Sequence, residues 1–261
     1  MQNSTHRWQL IRQKVNEIAK LDSQNVVFGS DYHEYIFNDI VDTTVITHFE
    51  TQFGVEFPES LKAYYRVMGN GGISPSYSFS PIESLEAFQP SKDYPGIEYY
   101  KELARTNGDM SDDGYFEGDF DDLSGLIQLF HMGCGMYACI VASGNQFGEV
   151  VVISDCYFIE ETGLSLDDYY ENWCNDQIAI FSSIEELLMS DLNMKQIDQK
   201  LNTDHQCHNG NDLVMSYIGV KRPKRLFGTR SHRKYHGATQ FPWYEKQLQK
   251  YRSRKKWWSI F

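Results

Sequence analysis

The sequence lacks any stretch of about eighteen apolar residues, so it offers no candidate for a membrane-spanning helix. Its strongest apolar segments, ACIVASG and EVVVIS, have the length of β-strands. The N-terminus, MQNSTHRWQLIRQK, carries charge and no apolar leader segment. We therefore expect no secretory signal and a cytoplasmic location.

Cysteine is scarce, and its spacing excludes the usual uses of paired cysteines. The count is odd, with no CxxC pair and no zinc-ribbon spacing. A chain of 261 residues, 41% of them hydrophobic and 15% aromatic, has enough apolar material for a core without disulfides. We expect buried, reduced thiols at the five positions Cys134, Cys139, Cys156, Cys174 and Cys207.

Basic residues are few over most of the chain and concentrated near its end. The whole sequence has 24 Lys and Arg against 36 Asp and Glu, a net charge of −12. Residues 201–261 hold 13 of the basic and 3 of the acidic residues, which leaves residues 1–200 with a net charge of −22. We predict a domain boundary near residue 202, between an acidic domain (1–202) and a basic, aromatic-rich extension (203–261).

Three segments have the apolar spacing of helices that bury one face. RWQLIRQKVNEIAKL places on one side Trp8, Ile11, Val15 and Ile18. TTVITHFETQF does the same with Ile46, Phe49 and Phe53. PESLKAYYRVM presents to the core Leu61, Tyr64, Tyr65 and Met68. Gly54 stands where a left-handed residue ends a helix, Pro58 suits a first helical position, and Gly69 ends the third helix.

The second half of the acidic domain begins with strand signals. LIQLFH, MYACIVA and EVVVISD are short, rich in β-forming residues and separated by turns, which predicts an antiparallel meander. Ser165, with Asp168 three residues later, predicts the start of a helix over LDDYYENWCNDQIAIF. A further helix is predicted over SSIEELLMSDLNMKQIDQKL. Residues 90–124, polar and acidic, are interpreted as a long surface excursion.

Two groups of residues resemble metal ligands, but neither has the required spacing. The first, Asp109, Asp112 and Asp113, lacks the alternating carboxylates, the glycine and the closing glutamate of an EF-hand. The second group comprises His205, Cys207, His208, His232 and His236. His232 and His236 have the H-x3-H spacing of a zinc finger, but the other three residues do not form a C-x2-C pair. We expect no metal and no cofactor.

No set of nucleophile, base and orienting residue can be assembled, so we expect no catalytic residues. Cys134 lies between glycines close to His131, where a hairpin turn is the simpler interpretation. GNGG at 69–72 follows a helix and lacks the lysine of a phosphate loop. The pairs Asp167–Asp168 and Glu185–Glu186 suit the positive ends of helix dipoles.

The order of three segments resembles the SUKH superfamily, the group of Smi/Knr-like proteins that includes bacterial immunity proteins and fungal cell-wall regulators. These segments are FETQFGVEFPESLKAYYRVMGNGG (49–72), HMGCGMYACIVASGNQFGEVVV (131–152) and LDDYYENWC (166–174). The resemblance covers roughly residues 25–190 and departs from the family at 90–124 and after 202. The motif residues, which we expect to be structural, are Phe53, Gly54, Pro58, Leu61, Tyr64, Gly69, Asn70, Gly71, Gly72, Gly133, Cys134, Gly135 and Trp173.

This resemblance implies an α+β fold with helices packed on a mainly antiparallel sheet, and a non-enzymatic role in protein binding. Bacterial members resemble one another as antidotes within toxin–antitoxin and polymorphic toxin systems, and many of the toxins are nucleases. A nuclease needs a basic surface to attract phosphates, and an acidic antidote is steered towards such a surface. We therefore expect a partner protein with a basic surface and no small-molecule substrate.

The predicted contact residues lie in the acidic insertion, where carboxylates surround aromatic side chains. They are Asp109, Asp112, Asp113, Tyr115, Phe116, Glu117, Asp119, Phe120, Asp121 and Asp122. A solvated surface loop is the alternative interpretation. The basic extension has three open interpretations: it binds nucleic acid, lies on an anionic membrane through WWSIF, or folds back on the acidic domain. A regulatory scaffold that uses this extension is the alternative function.

Overall fold

In a computed structural model of the chain, the structure describes residues 4–107, 123–154, 159–206, 210–220 and 241–258. The helices of these ranges are α1 Ser4–Leu21, α2 Ser30–His33, α3 Thr43–Phe53, α4 Glu59–Val67, α5 Ile97–Asn107, α6 Leu166–Leu188, α7 Met194–His205, α8 Gly210–Tyr217 and α9 Phe241–Trp258. The strands are β1 Glu86–Phe88, β2 Leu126–Gly133, β3 Met136–Val141, β4 Glu149–Ser154 and β5 Ile159–Ser165.

The five strands form one antiparallel sheet in the order β1-β2-β3-β4-β5, so each strand pairs with its neighbour in sequence. The predicted meander is confirmed as β2, β3 and β4, and the predicted α+β class is confirmed with it. The sequence did not predict the two edge strands. β1 is only three residues long, and β5 carries two glutamates and a glycine, so neither has a strong β pattern.

The chain divides into two compact units. The first comprises Met1–Val15 and Phe28–Cys174, and the second comprises Asn16–Val27 and Asn175–Phe261. The sheet and α2 to α5 belong to the first unit. The second unit holds α7, α8 and α9. The boundary predicted near residue 202 falls inside α7 and stays a prediction.

The helical core of the first unit follows the predicted periodicity. Trp8, at 0% exposure, meets the rings of Tyr64 and Tyr170 edge-on, with centroids 5.2 and 5.1 Å away. Such pairs contribute roughly 0.5–1.5 kcal/mol each beyond the burial of their area. The four predicted core residues of α1 are all buried, and so are Leu61, Tyr65 and Met68.

Both faces of the sheet are covered, which explains why the strands lack a clean alternation of polar and apolar residues. On one face, Cys139, Val141, Val151 and Ile153 pack with residues of the 94–104 segment. The other face includes Phe130, whose ring lies 6.4 Å from that of Tyr169 on α6. Every residue of β4 after Glu149 is buried.

The interpretation of residues 90–124 as a surface excursion is wrong for their first half. Residues 97–107 form α5, and the side chains of Tyr100 and Ala104 are each 1% exposed. Tyr94 is also buried in the same cluster. The apolar positions of α5 are few and lie among charged residues, so the sequence pattern favoured a loop. Residues 108–122 lie outside the described part of the chain.

The helix pair predicted after residue 165 has a different division. The predicted start is confirmed, because the amide of Asp168 donates to the Ser165 hydroxyl at 3.3 Å. However, α6 continues to Leu188, so it absorbs the beginning of the second predicted helix. The next helix, α7, begins after Asn193, which forms a capping box with Gln196. That local cap, rather than apolar periodicity, fixes the break.

The described part of the basic extension packs within the second unit. Tyr244 and Leu248 of α9 are buried, and the Tyr244 hydroxyl donates to Asp212 of α8 at 2.8 Å. The Arg252 guanidinium donates to the carbonyls of Leu188 and Leu192, each at 2.9 Å. Arg252 therefore satisfies carbonyl groups at the end of α6 and in the loop that follows. Binding of nucleic acid or membrane by the extension stays a prediction.

Candidate functional site

The loop after α4 joins separate parts of the first unit through Asn70. The Asn70 amide donates to the Asp39 carbonyl at 2.7 Å, and its side chain accepts from the Ile82 amide at 2.8 Å. The same side chain donates to Glu83 at 2.9 Å. Gly72 adds isolated antiparallel bridges to Phe37 and Phe79. We call residues 69–72 and these bonds the NGG clamp.

Gly69 allows the closest approach within the clamp. Its φ is 116°, and a Cβ atom at this position would lie 2.3 Å from the Asn38 carbonyl oxygen. The atoms that such a Cβ would meet belong to the Asn38 backbone, which cannot move aside as a flexible side chain can. Only glycine therefore fits between α4 and the 36–41 segment.

Buried tyrosines hold the chain that follows the clamp. The hydroxyls of Tyr64 and Tyr170 both donate to the Ile73 carbonyl, and the Tyr65 hydroxyl donates to the Ser80 carbonyl at 3.0 Å. Burial raises the pKa of all three hydroxyls well above the ordinary value, so they remain protonated donors. Three buried tyrosine hydroxyls thus fix the backbone that follows the clamp.

The clamp and its neighbours fix the backbone between Phe28 and Val41. The Val41 amide donates to the Tyr65 carbonyl at 3.0 Å, and the Arg12 guanidinium lies 3.9 Å from the Phe37 ring centroid. At the start of this segment, a Cβ atom on Gly29 would lie 1.9 Å from the Ser76 carbonyl oxygen. The segment is therefore anchored at its beginning, middle and end.

This anchored segment presents large apolar side chains to solvent at every fourth residue. Phe28, Tyr32, Ile36 and Ile40 are 51%, 61%, 58% and 66% exposed. Single exposed apolar residues are ordinary on protein surfaces, whereas several on one short, fixed segment make that segment a candidate binding surface. Val45, at the start of α3, is also exposed, at 39%.

Carboxylates are interleaved with these apolar residues. Asp31, Glu34, Asp39 and Asp42 lie in the same segment, and no Lys or Arg occurs between Lys20 and Lys62. Hydrogen bonds from the Thr44 hydroxyl and amide lower the pKa of Asp42 and favour its ionised form.

We call these nine residues the acidic–apolar strip. They are Phe28, Asp31, Tyr32, Glu34, Ile36, Asp39, Ile40, Asp42 and Val45. This surface was not among those predicted from the sequence. Two signals were available, the four-residue apolar spacing and the absence of cations, but the spacing also fits the buried face of a helix.

An aromatic row continues from the strip onto the sheet. The Tyr77 ring lies 4.5 Å from Tyr32, edge-on, and 5.2 Å from Phe28. On its other side Tyr77 stacks on His131 at 5.6 Å with an interplanar angle of 18°. His131 pairs across the β2–β3 ladder with Tyr137, at 5.0 Å between ring centroids. We call these five residues the aromatic row.

The motif Gly133–Cys134–Gly135 lies beside the row and forms the β2–β3 turn, as the sequence predicts. Cys134 and Gly135 have φ values of 51° and 72°, the positive pair that suits a two-residue hairpin. Cys139 and Cys174 are buried free thiols, as expected. Cys134 is a free thiol but is exposed, so the expectation of burial is wrong there, because the residue lies at the tip of a hairpin turn.

The other family-motif residues lie at helix ends and in the core. Gly54 is the left-handed residue that ends α3, and Pro58 precedes the first residue of α4. Leu61 and Tyr64 are completely buried, whereas Phe53 and Trp173 are half-buried.

Not every acidic residue of the first unit is available to a partner. The Arg7 guanidinium contacts Asp167, Asp168 and Glu171 at 3.2, 2.5 and 2.7 Å. Lys14 also contacts Glu171, at 2.7 Å. A hydrogen bond from Ser165, followed by those from Arg7, lowers the pKa of Asp168. Arg7 therefore neutralises much of the charge at the start of α6.

Lys62 forms a second neutralised cluster. Its ammonium lies 3.1, 2.9 and 3.2 Å from Glu50, Glu56 and Glu59. Burial opposes the charged form of Lys62, but hydrogen bonds to the three glutamates outweigh it and raise the lysine pKa. Arg7 and Lys62 thus bond carboxylates that lie outside the strip.

The contact residues predicted in the acidic insertion, from Asp109 to Asp122, all lie outside the described residues, so they stay a prediction. The same holds for Cys207, His208, His232 and His236 of the weighed zinc group. His205 is described, and its Nε2 atom shares a hydrogen bond of 2.8 Å with Ser183. Within the described ranges, no three His, Cys, Asp or Glu side chains are grouped to hold a metal ion.

The helices of the described ranges include none with the length and apolar character needed to cross a membrane.

Comparison with known proteins places these features in a family. No curated protein matches the chain. The model of the SMI1 / KNR4 family (SUKH-1) matches residues 40–190. The NGG clamp, the hairpin turn and the start of α6 lie inside this range, whereas Phe28, Tyr32 and Ile36 precede it. More than half of the sequence is matched, so the chain belongs to the SMI1/KNR4 family (SUKH-1), as the order of its motifs predicts.

Proposed function

We propose that the protein is a non-enzymatic binding module that acts as an immunity protein in the cytoplasm, where it occludes the basic surface of a cognate bacterial toxin. The observation that carries this proposal is the acidic–apolar strip. Family membership supplies the class of function, and the strip supplies the chemistry of recognition. A nuclease is one kind of toxin with a suitable basic surface, since it must attract phosphates.

The charge of the strip suits such a partner in kinetic terms. Four carboxylates lie in a sequence segment that contains no Lys or Arg, and one cation from elsewhere, Arg12, contacts this segment at Phe37. The segment therefore has a local excess of negative charge that the total charge of −12 only partly reflects. Complementary potentials raise association rates by roughly 10–1000-fold at low salt, and screening removes the gain as salt rises. The strip therefore favours fast capture of a basic protein.

The anchoring of the strip suits the same partner in energetic terms. Binding energy is concentrated in a few desolvated anchors, and large apolar or aromatic side chains are frequent among them. Ordering flexible segments costs binding free energy, so anchors on a fixed backbone lose less of it. Two backbone hydrogen bonds fix the strip in this way: the Val41 amide donates to the Tyr65 carbonyl, and the Asn70 amide donates to the Asp39 carbonyl.

The state of the buried thiols supports a role without catalysis. Burial raises the pKa of Cys174 to about 12 and raises that of Cys139 further, so neither is a nucleophile at neutral pH.

The test is neutralisation of the toxin encoded beside this gene. We expect co-expression of the full chain to restore growth, the two proteins to co-purify, and the dissociation constant to rise with NaCl concentration. A triple variant, Asp31→Asn, Glu34→Gln and Asp39→Asn, should lower the association rate roughly tenfold at low salt. The control, Glu98→Gln with Glu102→Gln on α5, removes two exposed carboxylates that form ion pairs with Lys101 and Arg105, and it should change the rate little. Absence of both rescue and complex formation with every adjacent toxin contradicts the proposal.

A further inference from the structure

We infer that the aromatic row is a receptor for an arginine side chain of the partner protein. This inference rests on the proposed function and specifies the chemistry at one end of the same surface. The row consists of Phe28, Tyr32, Tyr77, His131 and Tyr137, with Tyr77 at its centre.

The rings of the row form an open, ordered platform. Tyr32 and Phe28 stand at interplanar angles of 78° and 54° to Tyr77, so the three rings do not cover one another face to face. Phe28 and Tyr32 are more than half exposed, and His131 is also exposed. The Tyr77 ring packs closely against the backbone of Gly133, where an added Cβ atom would lie 3.0 Å from the ring. Tyr77 and Tyr137 are half-buried, and Tyr77 stacks on His131, so the exposed aromatic surface belongs chiefly to Phe28, Tyr32 and His131 around the edge of Tyr77.

The chemistry of the platform favours a guanidinium. Aromatic faces attract cations through their quadrupole, and arginine is the cation most often found there. A guanidinium can also stack on a ring while its N–H groups reach a carboxylate. Asp31 and Glu34 flank Tyr32 in the sequence. The protein uses the same pairing internally, where Arg12 covers the Phe37 ring at 3.9 Å.

The charge of the strip argues against other occupants. A nucleic-acid backbone or an anionic membrane would meet four carboxylates, and a second copy of this surface would bring the same charges into contact. An uncharged apolar segment would remove water from Glu34 and Asp39 without supplying a cation. A basic side chain on a protein satisfies both the rings and the carboxylates.

The receptor can be tested without the toxin. The full chain, with labelled tyrosine and histidine rings, is titrated by NMR with acetyl-Gly-Arg-Gly-Arg-Gly-amide and with a twin in which citrulline replaces arginine. We expect shifts at Tyr32, Tyr77 and His131 with the arginine peptide, and at least tenfold weaker binding of the citrulline twin. Tyr99 on α5, which is 52% exposed, is the internal control and should not shift. Equal binding of the twins, or no shift at Tyr77, overturns the inference.

The toxin complex gives a second test. Tyr77→Leu should weaken toxin binding roughly 10–100-fold, whereas Tyr77→Phe, which keeps the ring, should stay within about threefold of wild type. Tyr32→Leu, at a more exposed position, serves if Tyr77→Leu fails to fold, and Tyr99→Leu is the matched control. If Leu and Phe at position 77 bind equally well, the inference fails while wild-type neutralisation still supports the proposed function. If wild type ignores the toxin but discriminates between the peptides, the proposed function fails and the receptor stands.

Discussion

The NGG clamp and the acidic–apolar strip occupy neighbouring parts of the same unit but have opposite characters. Asn70 uses its backbone and side chain to bond Asp39, Ile82 and Glu83, and Gly69 leaves no room for a side chain. In the strip, which bonds to the clamp at Asp39, the side chains of Ile36 and Ile40 are exposed to solvent. The difference separates two tasks: the family motif holds the surface, and residues mostly before the matched range form it. Substitutions in the clamp should therefore cost folding free energy, whereas substitutions in the strip should cost binding.

The largest loss of stability is expected at Gly69. Gly69→Ala places a methyl group against the Asn38 carbonyl and should lower the free energy of unfolding by about 2–4 kcal/mol. Gly54→Ala is the matched control, because Gly54 has a φ of 69° with no atom within 4 Å of its virtual Cβ. It should cost only about 1 kcal/mol. Urea denaturation measures both. Equal costs would mean that the close approach to Asn38 contributes nothing.

The next largest effect is expected at Asn70. Asn70→Ala leaves the Ile82 amide without its acceptor and removes the bond to Glu83, so it should lower the free energy of unfolding by about 1–3 kcal/mol. Asn38→Ala removes a single exposed bond to the Asn70 carbonyl and should cost less. A smaller loss for Asn70→Ala than for Asn38→Ala would show that the clamp is not centred on Asn70.

A third effect concerns pH and lies outside the clamp. Arg7→Gln should lower stability at pH 7 by about 1 kcal/mol, since it leaves Asp167 and Asp168 without their shared counterion while Glu171 keeps Lys14. In the folded protein the pKa of Asp168 is lowered mainly by Ser165 and then by Arg7, and the pKa of Glu171 mainly by Lys14 and then by Arg7, from ordinary values of 3.8 and 4.5. Arg7→Gln removes only the part of this stabilisation that comes from Arg7. This stabilisation is therefore complete above those values and is lost as pH falls through the lower folded values.

Denaturation of wild type and Arg7→Gln across pH 2–7 measures this dependence, where about pH 4.5 is the expected point of change. The difference between the two proteins should be constant above it and shrink below it. A difference that grows on acidification contradicts the assigned role of Arg7.

The smallest change in stability is expected in the strip. Ile36→Ser with Ile40→Ser should change the free energy of unfolding by no more than about 0.5 kcal/mol per site, because both side chains are mostly in solvent. Ile46→Ser is the matched contrast, since Ile46 lies nearby in α3 and is 1% exposed. Thermal and urea unfolding compare them. A strip variant as unstable as Ile46→Ser would show that Ile36 and Ile40 support the fold.

The sequence predicted those parts of the fold that depend on local periodicity. Trp8 and Val15 of α1, and Leu61 and Tyr64 of α4, are buried as the spacing indicates. The hairpin at Cys134 also followed from turn chemistry alone. These features depend on residues within one or two helical turns, so a sequence pattern contains the information.

The parts that were missed depend on contacts distant in sequence. Helix α5 was hidden because its buried side chains, Tyr100 and Ala104, stand among charged neighbours. The strip has helical spacing, yet Glu34 and Tyr35 have positive φ values of 46° and 55°, which end α2 after one turn. Anchoring to the chain around the NGG clamp then fixes the strip with its apolar side chains exposed. Tyr77 and His131, whose rings stack, are too far apart in sequence for a local sequence pattern to predict their contact.

The measurement that tests the account most directly is the dissociation constant of the toxin complex for the Ile36→Ser, Ile40→Ser variant. It is compared with wild type and with Tyr99→Ser, a control of similar exposure on α5. We expect the strip variant to unfold like wild type but to bind the toxin at least about tenfold more weakly, while the control binds normally. Wild-type affinity in the strip variant would contradict the claim that this surface recognises the partner.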